Sequence, residues 1–263
     1  MLQKYTRRIL RKSKFMSAAE AERRRQALTE LYRSHFVLNL HPLQSSLTVV
    51  PPAEVIDKVQ GSNKSDANTF LGSGYRDMVR YIEELSAHGY DLAAMDRMLD
   101  FGCGTGRMLL HFLPFRLERY GCDVNPAAVE WTSHVLGKFV DIRLSKPEPP
   151  LPYQDNFFDL VIAASVFTHI PVGAQPGWIA ELARVLKPGA CVIATVHDFS
   201  KITIRHRKVG WHQKELERGL HMNSYVTAEA LEKIWGTTFD ILEVRRYPPG
   251  QAHLIARPSP QSL

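Results

Sequence analysis

From Arg97 onward, short apolar runs alternate with amphipathic stretches, the pattern of a parallel sheet covered by helices. The apolar runs predict strands near 97–101, 118–123, 139–144, 158–165, 190–197, 240–247 and 251–257. The amphipathic stretches predict helices over about 105–115, 126–137, 175–186 and 227–236. Thr227 would cap the last of these, and Lys187-Pro188-Gly189 would form a turn ahead of the fifth strand. Upstream, Met78, Tyr81, Ile82 and Leu85 share one face of a helix that starts after Gly74 and stops near Gly89. The expected fold is therefore α/β: a seven-stranded, mostly parallel sheet with helices on both faces, plus an N-terminal helical extension.

That extension is distinguished by charge. The chain of 263 residues carries +6, but residues 1–33 alone hold ten basic against three acidic residues, so the remainder is close to neutral. Tyr5, Ile9 and Leu10 alternate with arginines in one amphipathic basic stretch. Ser17 and Glu20 fit the capping box of a second helix that runs to about His35. Residues 41–66, with Pro51-Pro52, read as loop or linker. This divides the chain into a basic extension and linker, 1–66, and a domain, 67–263, with an insert at 199–225. The arm is compatible with an anionic membrane surface, RNA phosphates, a partner subunit, or a solvated helix covering the domain.

Cys103, Cys122 and Cys191 lack the spacing of a redox or zinc motif and fall at core positions, which suits a reducing compartment. No apolar run reaches the roughly 20 residues of a membrane span, and the first residues are too charged for a signal-peptide core. A cytoplasmic location is expected. The oligomeric state leaves no signal in the sequence.

The most informative segment is Asp100-Phe-Gly-Cys-Gly-Thr-Gly106, a strand running into a helix through Gly102, Gly104 and Gly106. A nucleoside-bearing ligand can approach backbone only where side chains are absent, and the helix start favours a negative group nearby. A dinucleotide-binding turn, G-x-G-x-x-G/A counted from Gly102, would need a small residue at position 107, where Arg107 stands. That counts against an NAD-dependent oxidoreductase. Asp123 closes the next strand, 23 positions after Asp100, placed to accept both hydroxyls of a ribose.

With these residues the chain resembles the small-molecule branch of the class I S-adenosylmethionine (SAM)-dependent methyltransferases over most of residues 97–257. Asp100 to Gly106 matches the family's first motif, Gly121-Cys-Asp-Val-Asn-Pro126 the second, and Leu151-Pro-Tyr-Gln-Asp-Asn-Phe-Phe-Asp159 the third. Leu182-Ala-Arg-Val-Leu-Lys-Pro-Gly189 matches the segment before strand five. The resemblance implies SAM as cofactor and S-adenosylhomocysteine as product. It further implies that Asp100 and Gly102 lie at the methionine end, that Gly104, Gly106 and Arg107 also contact the cofactor, and that Asp123 binds the ribose and Val124 flanks the adenine. Ser165 would present backbone to the amino group, and Phe70, in Phe70-Leu-Gly-Ser-Gly74, would belong to a lid over the cofactor. One departure stands out: the family often has an acidic residue after strand three that meets the adenine, where this chain reads Asp141-Ile-Arg-Leu-Ser145.

The loop after strand four, Ser165-Val-Phe-Thr-His-Ile-Pro171, sits where such families place acceptor-facing residues. A hydroxyl acceptor must lose a proton as it is methylated, and imidazole is the side chain best suited to a general base near neutral pH, which makes His169 the candidate. His197, with Asp198, ends strand five on the same edge and is a second candidate. His206, Trp211, His212 and His221 in the insert would cover the acceptor pocket, but no helical spacing aligns these histidines as metal ligands. Ser165-Val-Phe-Thr lacks the Asn/Asp-Pro-Pro-Tyr/Phe of nucleic-acid amino methylation, and no cysteine in this loop offers the nucleophile of C5-pyrimidine methylation. The expectation is O-methylation of a small-molecule or sugar-containing acceptor. N-methylation of a small molecule, or a noncatalytic SAM- or RNA-binding module using the basic arm, is the alternative.

Overall fold

The computed structural model describes residue 51 and residues 67–197, 211–215, 222–226, 228–247 and 251–260. The basic arm with its capping box, the linker, Thr227, Asp198, His206 and His221 lie outside the described residues. So do the side chains of Trp211 and His212.

Helix α1 spans Ala67–Ala87 and leads through a short 3-10 turn at Leu92–Ala94 into β1 (Arg97–Phe101). There follow α2 (Leu109–Phe112), β2 (Glu118–Asp123), α3 (Pro126–Leu136), β3 (Asp141–Leu144), β4 (Phe158–Ala163), α4 (Gln175–Val185) and β5 (Leu186–His197). A hairpin of β6 (Trp211–Glu215) and β7 (Met222–Val226) precedes α5 (Ala228–Trp235), β8 (Phe239–Arg246) and β9 (Gln251–Pro258). The main sheet has seven strands in the order β3-β2-β1-β4-β5-β9-β8. The first five are parallel, and β9 inserts antiparallel between β5 and β8. The expected seven-stranded, mostly parallel architecture is thus observed, and β1 and β2 have the expected limits.

Alternating residues of each strand bury two faces. On one, Met78, Tyr81 and Leu85 of α1 pack on Met98, Ile162, Ile193 and Ile255. On the other, Trp178 and Leu182 of α4 and Trp235 of α5 pack on Val161, Val192 and Leu254. Such continuous apolar strands are what a parallel sheet covered on both sides requires.

Several boundaries differ from the sequence expectation for identifiable reasons. The expected helix over 105–115 contracts to Leu109–Phe112, because Gly106 takes a φ of +80° and Pro114 follows close behind. Phe139 and Val140 are not strand residues. Their N–H groups donate to the Leu136 carbonyl at 2.8 and 3.0 Å and close α3 instead. β4 stops at Ala163, and two residues later Ser165 turns into a left-handed φ of +61°. Lys187-Pro188-Gly189 is not a separate turn. Leu186 already pairs with Phe158, and Gly189 at φ +76° lies where the ladder shifts register between Phe158 and Leu160.

The largest correction concerns the start of α1. Phe70-Leu-Gly-Ser-Gly74 lies within the helix, which starts before Gly74 and not after it, and Phe70 is buried. Two glycines there look like a break, but Gly74 serves close packing. A Cβ on it would stand 2.4 Å from the Arg107 carbonyl and 2.8 Å from the His111 ring. Ala is otherwise the better helix residue by up to about 1 kcal/mol. Here the backbone contact reverses the sign, and Gly74→Ala should destabilise the fold by about 1–3 kcal/mol. A fall in the urea midpoint checks this; an unchanged or raised midpoint would show that α1 does not press on the turn.

Candidate functional site

The site is built at the carboxyl edge of the parallel strands, where β1 runs into its glycine-rich turn. Asp100 lies beside Gly121 of β2 and Ile162 of β4 in register, so the ends of three strands converge there. The turn is held by hydrogen bonds that consume its amides in order. The N–H groups of Gly102 and Cys103 donate to the Cys122 carbonyl at 2.8 and 3.0 Å. That of Gly104 donates to Asp123 Oδ2 at 2.8 Å. Thr132 Oγ1 of α3 donates to the Gly104 carbonyl at 2.9 Å. A side chain on Gly102 (φ +75°) would meet Val166 Cγ2 at 2.4 Å, so this turn is open only to glycine.

Asp123 accepts on both oxygens, from Gly104 N–H and, at 2.8 Å, from Asn125 N–H. Burial raises its carboxyl above the ordinary range, against the opposing pull of the Asn125, Gly104 and Val124 amides. Beyond it the chain enters α3 through Asn125, whose side chain caps Ala127 and Ala128, with Pro126 in the first turn. Val124 is 53% exposed and Leu144, paired with Asp123 across β3, is 55% exposed. Two bare apolar side chains therefore stand at the same edge. Next to them the Ser145 hydroxyl is buried without a hydrogen-bond partner.

Asp100 is the most unusual group. Its carboxylate is 1% exposed and Oδ2 has no hydrogen-bond partner. Burial pushes it up to about 7, moderated by the positive charge of Arg107 and reinforced by the negative charge of Asp123. A buried carboxylate oxygen with no donor is costly unless a ligand supplies one.

Arg107 does not point into open space. Its Nη1 donates to Asp77 Oδ2 at 2.7 Å and to Ser73 Oγ at 3.4 Å, which fastens the turn to α1. The same face of α1 carries Glu84, fully buried, which accepts from Tyr247 Oη at 2.6 Å and pairs with His253 Nδ1 at 2.9 Å. His88 then meets Glu243 at 2.9 Å. None of Asp77, Thr132, Glu84, Tyr247 or His253 was identified from the sequence. The spacing of Ser73, Asp77, Glu84 and His88 was the available signal, since it puts polar groups on the face that also carries Met78, Tyr81 and Leu85.

Ser165 is tied to its surroundings through backbone and side chain, with one donor on its carbonyl. Its N–H donates to Thr195 Oγ1 at 2.6 Å, its hydroxyl to Gln251 Oε1 at 2.9 Å, and its carbonyl accepts from Thr168 Oγ1 at 2.7 Å. His169 is exposed on the loop after β4, and His197 is half-buried at the end of β5, opposite Gln251 of β9. The structure thus gathers Asp100, Gly102, Gly104, Asp123 and Val124 at one edge. Arg107 is hydrogen-bonded to α1, Ser165 to β5 and β9, and Phe70 is buried.

Residues 99–194 match the family model described as a methyltransferase domain. A sterol 24-C-methyltransferase from Candida albicans is 29% identical over 164 residues, covering 57% of this chain and 42% of the relative. A ubiquinone biosynthesis O-methyltransferase from Rhodopseudomonas palustris is 29% identical over 144 residues, covering 52% and 55%. The chain thus spans about half the length of these relatives. Among solved structures, a SAM-dependent methyltransferase from Clostridium acetobutylicum superposes with TM-score 0.56 at 14% identity, covering 79% of this chain and 97% of the other. A SAM-bound amino pentose methyltransferase from Micromonospora echinaspora gives 0.53 at 17%, covering 71% and 92%. These likenesses establish the fold.

The Asp100 carboxyl carries a stability consequence. Its folded pKa of about 7 lies above the ordinary 3.8, so the stabilisation it contributes to the unliganded protein is full below pH 3.8 and is lost as pH rises through 7. The loss is on the order of a few kcal/mol. Asp100→Asn, which cannot ionise, should be more stable than the parent protein at pH 8 in denaturant titrations, by a margin that shrinks steadily below pH 7 and closes near pH 4. Equal stability at pH 8 would mean that the buried carboxylate carries no penalty.

Proposed function

We propose that this chain, which carries a class I SAM-dependent methyltransferase domain, transfers a methyl group from SAM to the oxygen of a small-molecule or sugar-containing acceptor. The observation that carries the reading is the buried Asp100 carboxylate oxygen that lacks a donor, set beside a glycine turn locked by Asp123. The residues fit the cofactor. Asp100 meets the methionine ammonium, and Arg107 supplies positive charge for the methionine carboxylate. Asp123 uses its remaining lone pairs for the ribose hydroxyls, and the exposed Val124 and Leu144 cover the adenine faces. Ser145 stands where relatives of this fold often carry an acid, and its buried hydroxyl is a polar partner for the base. Gly102, Gly104 and Gly106 keep side chains out of the space the cofactor needs.

SAM supplies an electrophilic methyl on a sulfonium. The protein's part is alignment, because the reaction is an in-line displacement in which the S–CH3 bond breaks as the O–CH3 bond forms and the sulfonium charge disappears. The acceptor's hydroxyl proton must leave with the reaction. His169, exposed on the acceptor-side loop, takes it as general base, and His197 is the second candidate on the same edge. The likeness to a ubiquinone biosynthesis O-methyltransferase supports oxygen as the acceptor atom.

Two expectations follow. Affinity for S-adenosylhomocysteine should rise between pH 6 and 8, as Asp100 ionises to meet the ligand's ammonium, and should be weak and flat in Asp100→Asn. A pH-independent parent affinity would remove Asp100 from the cofactor site. Methyl transfer from labelled SAM, tested with catechol, phenol, a sugar and a primary amine in parallel, should label a hydroxyl compound. His169→Ala should lower kcat by roughly a hundredfold while retaining cofactor affinity. Labelling of the amine alone, unchanged by His169→Ala, would contradict both the oxygen acceptor and the base.

A further inference from the structure

The loop from Ser165 to Pro171 has no regular secondary structure, yet almost all its carbonyls are spoken for. Ser165 accepts from Thr168 Oγ1, and Val166 from the His169 and Ile170 amides at 2.8 and 3.1 Å. Phe167 accepts from Gln175 Nε2 at 3.1 Å, and Pro171 from the Ala174 and Gln175 amides. The remaining bonds come from a part of the chain far away in sequence. Ser224 of β7, 1% exposed, donates its N–H to the Thr168 carbonyl at 2.7 Å and its hydroxyl to the Ile170 carbonyl at 2.7 Å. The Ile170 carbonyl also takes Gln175 Nε2 at 3.1 Å. One buried serine therefore grips the residues on both sides of His169.

The β6–β7 hairpin has its own two-stranded ladder and is separate from the main sheet, so this grip links an independent element to the site. Phe167, its ring centroid 4.8 Å from that of Trp235 of α5 and tilted 59° to it, anchors the same loop in the core. An irregular segment fixed at nearly every backbone acceptor is preorganised, and a reacting group carried on it loses little freedom when an acceptor arrives.

We propose that Ser224 is a positioning residue: through Thr168 and Ile170 it fixes the aim of His169 and couples the β6–β7 hairpin to the acceptor-side loop. This rests on the methyltransferase reading for its catalytic meaning but not for its structural content. Gln175 is its partner in the task, since the Ile170 carbonyl loses every donor named above only when both side chains are removed. Ser224→Ala and Gln175→Leu should therefore be non-additive.

The test is hydrogen exchange on the full chain without added ligand, read at the His169 and Ile170 amides. Ser224→Ala should speed exchange there by roughly tenfold, the worth of one buried hydrogen bond. Affinity for S-adenosylhomocysteine, measured separately, should stay within about twofold of the parent. Ser224→Thr, which keeps a hydroxyl donor, should restore protection, and the Ser224→Ala/Gln175→Leu pair should exceed the product of the single effects. With catechol as acceptor, Ser224→Ala should lower kcat more than it raises KM. Unchanged exchange at His169 and Ile170 in both Ser224→Ala and the double variant would overturn the proposal. So would accelerated exchange spread evenly over the whole domain, the mark of a general loss of stability. Because exchange needs no acceptor, failure to methylate any compound would count against the methyltransferase reading alone.

Discussion

Everything at the site depends on Asp123 holding the glycine turn against β2. A run of glycines at positive φ has little reason of its own to keep one shape, because glycine loses the most backbone freedom when it is fixed. The Asp123 carboxylate removes that freedom by accepting from Gly104 on one oxygen and from Asn125 on the other. The turn and the start of α3 thus become a single unit. Thr132 closes the loop from the α3 side through the Gly104 carbonyl. With the turn fixed, Asp100 is left buried and short of a donor, and Arg107 is left reaching toward α1.

The second constraint is the polar seam under α1. A helix that covers a sheet through apolar contacts alone can slide along it. Asp77 with Arg107, Glu84 with His253 and Tyr247, and His88 with Glu243 set its position at three heights. Buried ionic groups add little net stability when compared with well-packed apolar residues, and register is their better-attested use. The seam also joins the glycine turn to β9, because His253 lies opposite Thr195 in the ladder, and Thr195 holds Ser165.

The parts legible in the sequence were those encoded locally. β1, β2 and the glycine turn followed from an apolar run meeting closely spaced glycines. Asp123 followed from its place at the end of the next strand. What escaped was encoded by contacts between distant residues. Gly72 and Gly74 suggested a loop, because nothing local reveals that Gly74 lies against the Arg107 carbonyl. Arg107 stands beside the turn, and nothing local reveals that Asp77, 30 positions away on a helix, ties it to α1. Glu84 and His253 are separated by 169 positions, and each alone has the composition of a surface residue. Ser224 falls in an insert whose pattern carries no motif. Its role emerges only from the loop it touches.

The central claim is that this turn and Asp123 hold an adenosyl ligand with an amino-acid tail. Calorimetric titration of the parent protein and Asp123→Ala with S-adenosylhomocysteine and with NAD tests it most directly. The account predicts saturable binding of S-adenosylhomocysteine to the parent, its loss in Asp123→Ala, and no binding of NAD to either. Binding of NAD in place of S-adenosylhomocysteine, or S-adenosylhomocysteine affinity indifferent to Asp123, would contradict it.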